Sequence, residues 1–265
     1  MKTNYHTHTQ RCRHAQGSEE DYIRSALASQ VSILGFSDHA PFPDHDFGLR
    51  MPIEELKDYL AEIDRLAKVY DGQITLYKGL EIEYLPRYRG YYEDLRGRYG
   101  LDYLLLGEHF FLDAAGKIFN ITTGAPNTEK FLEYADAVAE GMKTGLFDAV
   151  VHPDIFMMSP LAWDRNCDAA TDRILEAAAL SGTVLEYNAN GLRRGLRRYP
   201  EGDRYMYPHE NFWKKAAASG LPVIVGTDCH NPTQVWDDCM DRALAELERY
   251  GIKPLEILDF SGKKG

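Results

Sequence analysis

The segment YHTHTQRCRH (5–14) places three histidines within ten positions. Strand side chains repeat with period two, so His6 and His8 face the same way and can share one metal ion. His14 follows across a loop and can serve a neighbouring ion. Further residues of the same chemical type recur: Asp38 and His39 in ILGFSDH (33–39), Glu81 in ITLYKGLEIEYL (74–85), His109 in DYLLLGEHFF (102–111), His152 in FDAVVHPD (147–154), and Asp228 with His230 in LPVIVGTDCH (221–230). Imidazole nitrogen suits Zn, Fe and Mn, and a carboxylate can bridge two ions. Glu81 is the natural bridge, because a carboxylate in an apolar strand is costly unless neutralised. These ligands exceed what one ion can use, so two or three divalent ions (Zn, Fe or Mn) are expected. Such a cluster brings the pKa of water toward neutrality and stabilises the oxygens of an in-line displacement at phosphorus. The sixth apolar run ends instead in NANGLRRGLRR (188–198). Arginine forks bind phosphate oxygens bidentately, so Arg193 is expected as a phosphate clamp with Arg194 beside it. Arg197 and Arg198 read as a solvated basic patch.

These residues need elements to hold them together. Asn4–His8 and the apolar runs at 33–39, 74–85, 102–111, 147–154, 183–190 and 221–230 read as seven strands. Between them lie helical patterns. Ser18 and Asp21 form a capping box ahead of Tyr22, Ile23, Ala26 and Leu27. Helical spacing also marks Pro52–Tyr70, Thr128–Gly145, 169–180, Phe212–Ser219 and roughly 233–250. Near-continuous apolar strands alternating with helices predict a parallel sheet covered by helices, and seven such units favour a (β/α) barrel. No G-x-G-x-x-G follows the first strand, which weighs against a dinucleotide fold. The predicted ligands fall at strand carboxyl ends, which share one rim in a parallel barrel. Seven of the nine histidines reach that rim; His45 and His209 do not, and His209 reads as a helix-start or surface residue.

Composition narrows the alternatives. The 265 residues are 44% hydrophobic and 27% charged, enough for a globular core. The formal net charge of −11 argues against a surface that coats nucleic acid. No apolar run is long enough to span a bilayer and no signal peptide opens the chain, so no membrane association is expected. Cys12, Cys167, Cys229 and Cys239 show no C-x-x-C pairing and read as reduced thiols in a cytoplasmic protein.

Taken in order, YHTHTQRCRHAQG, GFSDHAPFP, GLEIEYLP, NANGLRRG and IVGTDCHNP resemble the polymerase-and-histidinol-phosphatase (PHP) superfamily, nearest its histidinol-phosphate phosphatases. The resemblance implies a single distorted, TIM-like (β/α)7 barrel over residues 1–265 with a trinuclear metal centre. Carried over by motif, one ion takes His6, His8, Glu81 and Asp228. A second takes Glu81, His109 and His152, and a third His14, His39 and His230. The implied reaction is metal-dependent hydrolysis of a phosphate monoester, L-histidinol phosphate first, in histidine biosynthesis. A different phosphate ester on the same centre is the alternative. Asp154 and Asp228 are candidates for proton transfer, and Asp44, Asp46, Glu83 and Glu108 for binding a substrate amine. The expected partner is a small phosphate ester, without stable nucleic-acid binding. Two departures stand out: LLGEH replaces the family's G-S-x-H, and HPDIFMMSP lacks the basic residue that often follows the fifth-strand histidine.

Overall fold

The computed structural model describes residues 1–260. Its strands in chain order are β1 (Thr3–Asn4), β2 (Ile33–Phe36), β3 (Thr75–Ile82), β4 (Tyr103–Leu106), β5 (Phe110–Leu112), β6 (Ile118–Asn120), β7 (Ala149–Val150), β8 (Val184–Asn188), β9 (Arg197–Tyr199), β10 (Gly202–Arg204) and β11 (Val223–Gly226). Its α-helices are α1 (Glu19–Ala28), α2 (Leu56–Val69), α3 (Arg89–Gly97), α4 (Glu129–Lys143), α5 (Arg165–Ser181), α6 (Ala189–Arg193), α7 (Glu210–Ser219) and α8 (Asp238–Arg249). Strands β1, β2, β3, β4, β7, β8 and β11 pair in that order, all parallel. The two edges approach at the mouth, where the His8 N–H donates to Cys229 O at 3.0 Å and Thr7 bridges Cys229. The result is the barrel of seven (β/α) units that the alternation of strands and helices predicts, nearly closed and distorted as the family resemblance implies.

Two apolar clusters hold it. The larger packs helices on the outer face of the sheet, using stripes such as Leu56, Tyr59, Leu60, Ile63 and Leu66 of α2. The smaller fills the barrel with Tyr5, Ile33, Tyr103, Leu105, Ala149, Val151 and Ile224, joined by Leu258 and Phe260 from the C-terminal segment. Tyr103 spans the interior and donates its hydroxyl to Tyr5 O at 2.7 Å and Phe36 O at 2.9 Å. It fits because Gly35 and Gly79 carry no Cβ; one at Gly79 would stand 2.3 Å from the Tyr103 ring.

Several expected boundaries move. The run 102–111 is not one strand: β4 stops at Leu106, and β5 leaves the barrel to pair antiparallel with β6. The Asn4–His8 strand keeps only its start in the ladder, because the chain peels away where it presents His6 and His8. The stretch after β8 forms α6 and then turns into the β9–β10 hairpin. Helix α3 has no counterpart in the expected elements, and the first turn of the helix expected from Pro52 is 3-10 over Ile53–Glu55. The capping box of α1 is present with both of its hydrogen bonds, Ser18 to Asp21 and back.

Candidate metal centre

The ligands expected from the sequence converge at the carboxyl-terminal mouth. Glu81 lies in β3; the others sit just beyond strand ends, except His14, which follows a 3-10 turn (Gln10–Cys12) in the loop after β1. Two of them, His152 (φ 34°) and Asp228 (φ 44°), occupy the left-handed region, a strain that recurs at functional sites. His6 Nε2 lies 3.3 Å from Glu81 Oε2 and 3.7 Å from Asp228 Oδ1. His8 Nε2 lies 3.3 and 3.2 Å from the same two oxygens. An ion held ~2.1 Å from four tetrahedral donors separates those donors by ~3.4 Å. The four imidazole-to-carboxylate separations, 3.2 to 3.7 Å, are therefore already close to the edge length of such a polyhedron.

The other oxygen of Glu81 faces a second group. His152 Nε2 lies 2.7 Å and His109 Nε2 3.4 Å from Oε1. The third group is looser. His14 and His230 bring their Nε2 atoms to 2.8 Å, while His39 turns Nδ1 toward Glu81 Oε2 at 3.1 Å and stacks on His14.

Side chains around the cluster fix which nitrogen is offered. His6 Nδ1 meets Glu186 Oε1 at 2.7 Å, His109 Nδ1 meets Glu83 Oε1 at 2.9 Å, His14 Nδ1 meets Cys12 O at 2.8 Å, and His230 Nδ1 meets Asp228 O at 3.0 Å. With Nδ1 held by an acceptor, Nε2 is left as the ligand, the arrangement common around metal-bound imidazoles. Glu83 is in turn gripped by Arg50 at 3.2 and 3.3 Å. Room for the carboxylates comes from bare backbone on the next strand over: a Cβ at Gly107 would lie 2.1 Å from Glu81 Oε1, and one at Gly226 1.7 Å from Glu186 Oε1.

The donor set fits divalent cations. His6 Nε2, His8 Nδ1 and Nε2, Glu81 Oε2 and His152 Nδ1 are buried without a hydrogen-bond partner. Buried polar atoms left unpaired are costly and rare, and a cation at the mouth would satisfy several at once. Burial pushes His230 down to about 3 and His39 well below its usual range, so both are neutral and ready to ligate. Burial also acts against ionised Glu81 and Asp228, yet neighbouring imidazoles, His6 foremost, hold both well below the usual carboxylate range. For His8 burial is overridden by Asp228 and Glu81, which raise it to about 9. Both carboxylates are thus ionised, as ligands must be.

Above the cluster opens a cavity of about 400 Å³. Its walls include Phe47, Arg50, Phe110, Ile155, Met158, Arg194 and Tyr207. Three expected site residues are placed differently. Arg193 does not reach this cavity: its guanidinium pairs with Asp237 at 2.8 and 3.1 Å and donates to Thr227 O at 3.0 Å. Arg194, the next residue, lines the cavity and is exposed. Asp154 faces away from the metal cluster, where it is buried and accepts from the His209 N–H at 2.6 Å and the Trp213 indole at 3.2 Å. Glu108 turns inward to accept the Tyr84 N–H at 2.8 Å, and burial pushes its carboxyl well above the usual carboxylate range. It is not placed to hold a substrate amine. Asp44 bonds the Tyr88 hydroxyl and Asp46 its own turn at Gly48 N, which leaves Glu83 as the member of that group on the cavity wall. His209 caps α7 and is buried rather than at the surface.

Sequence reasoning missed Glu186, whose second oxygen also accepts the His152 N–H at 3.1 Å. The signal was present: TVLEYNAN puts a carboxylate inside an apolar strand just as GLEIEYL does at Glu81. It also missed Asn190, which donates to Asp228 Oδ2 at 3.0 Å.

Fold and site together define a class: a parallel seven-stranded barrel whose mouth gathers a histidine–carboxylate cluster able to bind several divalent ions. Residues 4–190 match the PHP domain family, and the chain belongs to that family. It is 29% identical over 238 residues to the "Probable histidinol-phosphatase" of Deinococcus radiodurans, covering 87% of this chain and 86% of that relative. It is 23% identical over 269 residues to the histidinol-phosphatase of Bacillus subtilis, covering 89% and 96%. Its fold is similar to that of histidinol phosphate phosphatase from Lactococcus lactis, solved with zinc, L-histidinol and phosphate. The TM-score is 0.69 at 16% identity, with 96% of this chain and 95% of that one covered.

Proposed function

We propose that the protein is a metal-dependent phosphomonoesterase that hydrolyses L-histidinol phosphate to L-histidinol and phosphate, a step of histidine biosynthesis in the cytoplasm. The observation that carries this reading is the quartet of His6, His8, Glu81 and Asp228, whose imidazole nitrogens and carboxylate oxygens stand 3.2 to 3.7 Å apart beneath a cavity walled by Arg194. Two or three divalent ions, Zn, Fe or Mn, would be held by His6, His8, Glu81 and Asp228, by Glu81, His109 and His152, and by His14, His39 and His230. When bound, they supply positive charge to the phosphoryl oxygens and a water acidified enough to attack phosphorus near neutral pH.

The chain's own residues do the rest. The Arg194 guanidinium has no hydrogen bond or ion pair to a described residue, so its fork is available to a phosphoryl group. Asp228 is assigned the proton transfer: as the water oxygen joins phosphorus and the ester P–O bond breaks, the water proton passes to the alkoxide. Asn188 and Asn190 hold its Oδ2 in place at 3.4 and 3.0 Å. Phe47, Phe110, Ile155 and Met158 form an apolar wall suited to a planar ring on the alcohol. Elemental analysis of the purified protein, run beside phosphate release from L-histidinol phosphate and a panel of sugar and nucleotide phosphates, tests the reading. The expected result is two or three ions per chain and fastest release from L-histidinol phosphate. Faster release from another ester would remove the substrate assignment.

A further inference from the structure

We propose that Tyr207 touches the substrate, its phenol donating a hydrogen bond to a phosphoryl oxygen beside Arg194. The inference rests on the phosphoesterase reading and adds a catalytic residue to it. A phosphoryl group presents three terminal oxygens, and the cavity is short of free cationic side chains to meet them. Ile155 and Met158 occupy its wall. Arg50 is already committed to Glu83 and to the carbonyls of Ala40 at 2.9 Å and Gly48 at 3.1 Å. Only Arg194 among the lining arginines is uncommitted to a described residue.

Tyr207 stands where a further donor is needed. It lines the cavity with Arg194, Asn190, Asp228 and His152, and its ring lies 6.2 Å from that of His152. The residue is 1% exposed, yet its hydroxyl has no hydrogen-bond partner among the described residues. Buried tyrosine hydroxyls usually find a partner, and one that meets the cavity without one is poised for a ligand. Its placement is enforced by α6. A Cβ on Gly191 would fall 2.0 Å from Tyr207 O and 2.6 Å from its ring, so the helix presses bare backbone against this residue. The same short helix carries Asn190, which steadies Asp228, and leads directly into Arg194. One element thus sets the spacing of phenol, guanidinium and carboxylate. An ordinary phenol titrates at about 10, so near neutral pH this hydroxyl acts as a donor and not as a base.

The test is Tyr207→Phe, which keeps the ring and removes only the hydroxyl. Metal-loaded wild type and variant are compared for kcat/KM on L-histidinol phosphate and on p-nitrophenyl phosphate, and for the Kd of inorganic phosphate by calorimetry. A donor to the phosphoryl group predicts a loss of about 10- to 100-fold on both esters and a phosphate Kd raised several-fold. Tm and metal content should stay unchanged. A loss confined to L-histidinol phosphate, with p-nitrophenyl phosphate and inorganic phosphate untouched, overturns the assignment and places the hydroxyl on the alcohol. Equal Kd and kcat/KM in the two proteins overturns it outright. Should the wild type hydrolyse neither ester, the phosphoesterase reading itself fails, while the phosphate Kd still decides the role of Tyr207.

Discussion

At the residue scale, the site depends on atoms that would be unfavourable anywhere else. Glu81 is fully buried in β3, and it offers one oxygen to His6, His8 and His39 and the other to His109 and His152. Glu81→Gln keeps the shape but removes the charge that the two proposed ion sites share. Elemental analysis should show at least one ion per chain lost, with activity falling by several orders of magnitude. Gly107→Ala tests the same carboxylate from outside. A methyl 2.1 Å from Oε1 must displace it, so metal content should fall although no ligand has been changed. Glu186 acts through His6. Glu186→Ala frees Nδ1 of that ring and is expected to weaken metal binding by about 10- to 100-fold, measured by competition with a chromophoric chelator.

At the element scale, helix ends decide which polar groups face the cavity. Arg193 and Arg194 are neighbours, but Asp237, which caps α8 by accepting from Cys239 N and Met240 N, takes Arg193. Arg193→Met should lower unfolding free energy by about 2 kcal/mol through the lost partly buried pair, with a modest effect on kcat/KM. Arg194→Met should do the reverse, leaving Tm unchanged and cutting kcat/KM. Helix α7 brings a pH dependence. His209 caps it by accepting the Asn211 N–H on Nδ1 and stacks on Trp163 at 4.6 Å. Burial, helped by Arg204, holds its pKa down at about 4 against an ordinary 6.5. The unfolded chain takes up this proton near pH 6.5, whereas the folded one refuses it until about 4. The stabilisation is therefore complete above pH 6.5 and is lost as pH falls from 6.5 to 4, about 3 kcal/mol in all. Urea titrations across that range should show a shallower acid-side decline for His209→Asn, which retains a capping oxygen.

At the scale of the whole molecule, the two ends of the barrel are closed differently. At the amino-terminal end of the strands the C-terminal segment seals the interior: Leu258 N–H donates to the Tyr5 hydroxyl at 3.2 Å, and Phe260 packs on Tyr5, Tyr77 and Tyr103 at 5.0 to 5.8 Å. Phe260→Ala should cost about 3 kcal/mol of stability by urea unfolding and leave metal content intact, because the cavity it opens is remote from the mouth. At the mouth, the clustered ligands come from the loops after β1, β2, β4, β7 and β11 and from β3. Ions bound there cross-link the barrel where its edges barely pair. Binding to the folded state alone stabilises by mass action, about 4 kcal/mol at a thousandfold excess over Kd. Chelation should therefore lower Tm markedly, and restoring the metal should recover it.

The sequence by itself determined the barrel and the chemical character of its mouth. Apolar runs alternating with helical stripes specify strands and helices locally, and polar residues at the ends of those runs arrive together once the strands are parallel. His6, His8, Glu81, His109, His152 and Asp228 were legible for that reason. So was Ser18 with Asp21, a signal contained within four residues. Only the tertiary structure decided which neighbour faces the cavity and which side chains orient the ligands. Successive helical residues point ~100° apart, so the choice between Arg193 and Arg194 depends on where Asp237 stands across the fold. Glu108, Asp154 and Glu186 are settled in the same way, by Tyr84 N, His209 N and His6. Those partners lie 24, 55 and 180 positions away, distances at which a local pattern carries no information.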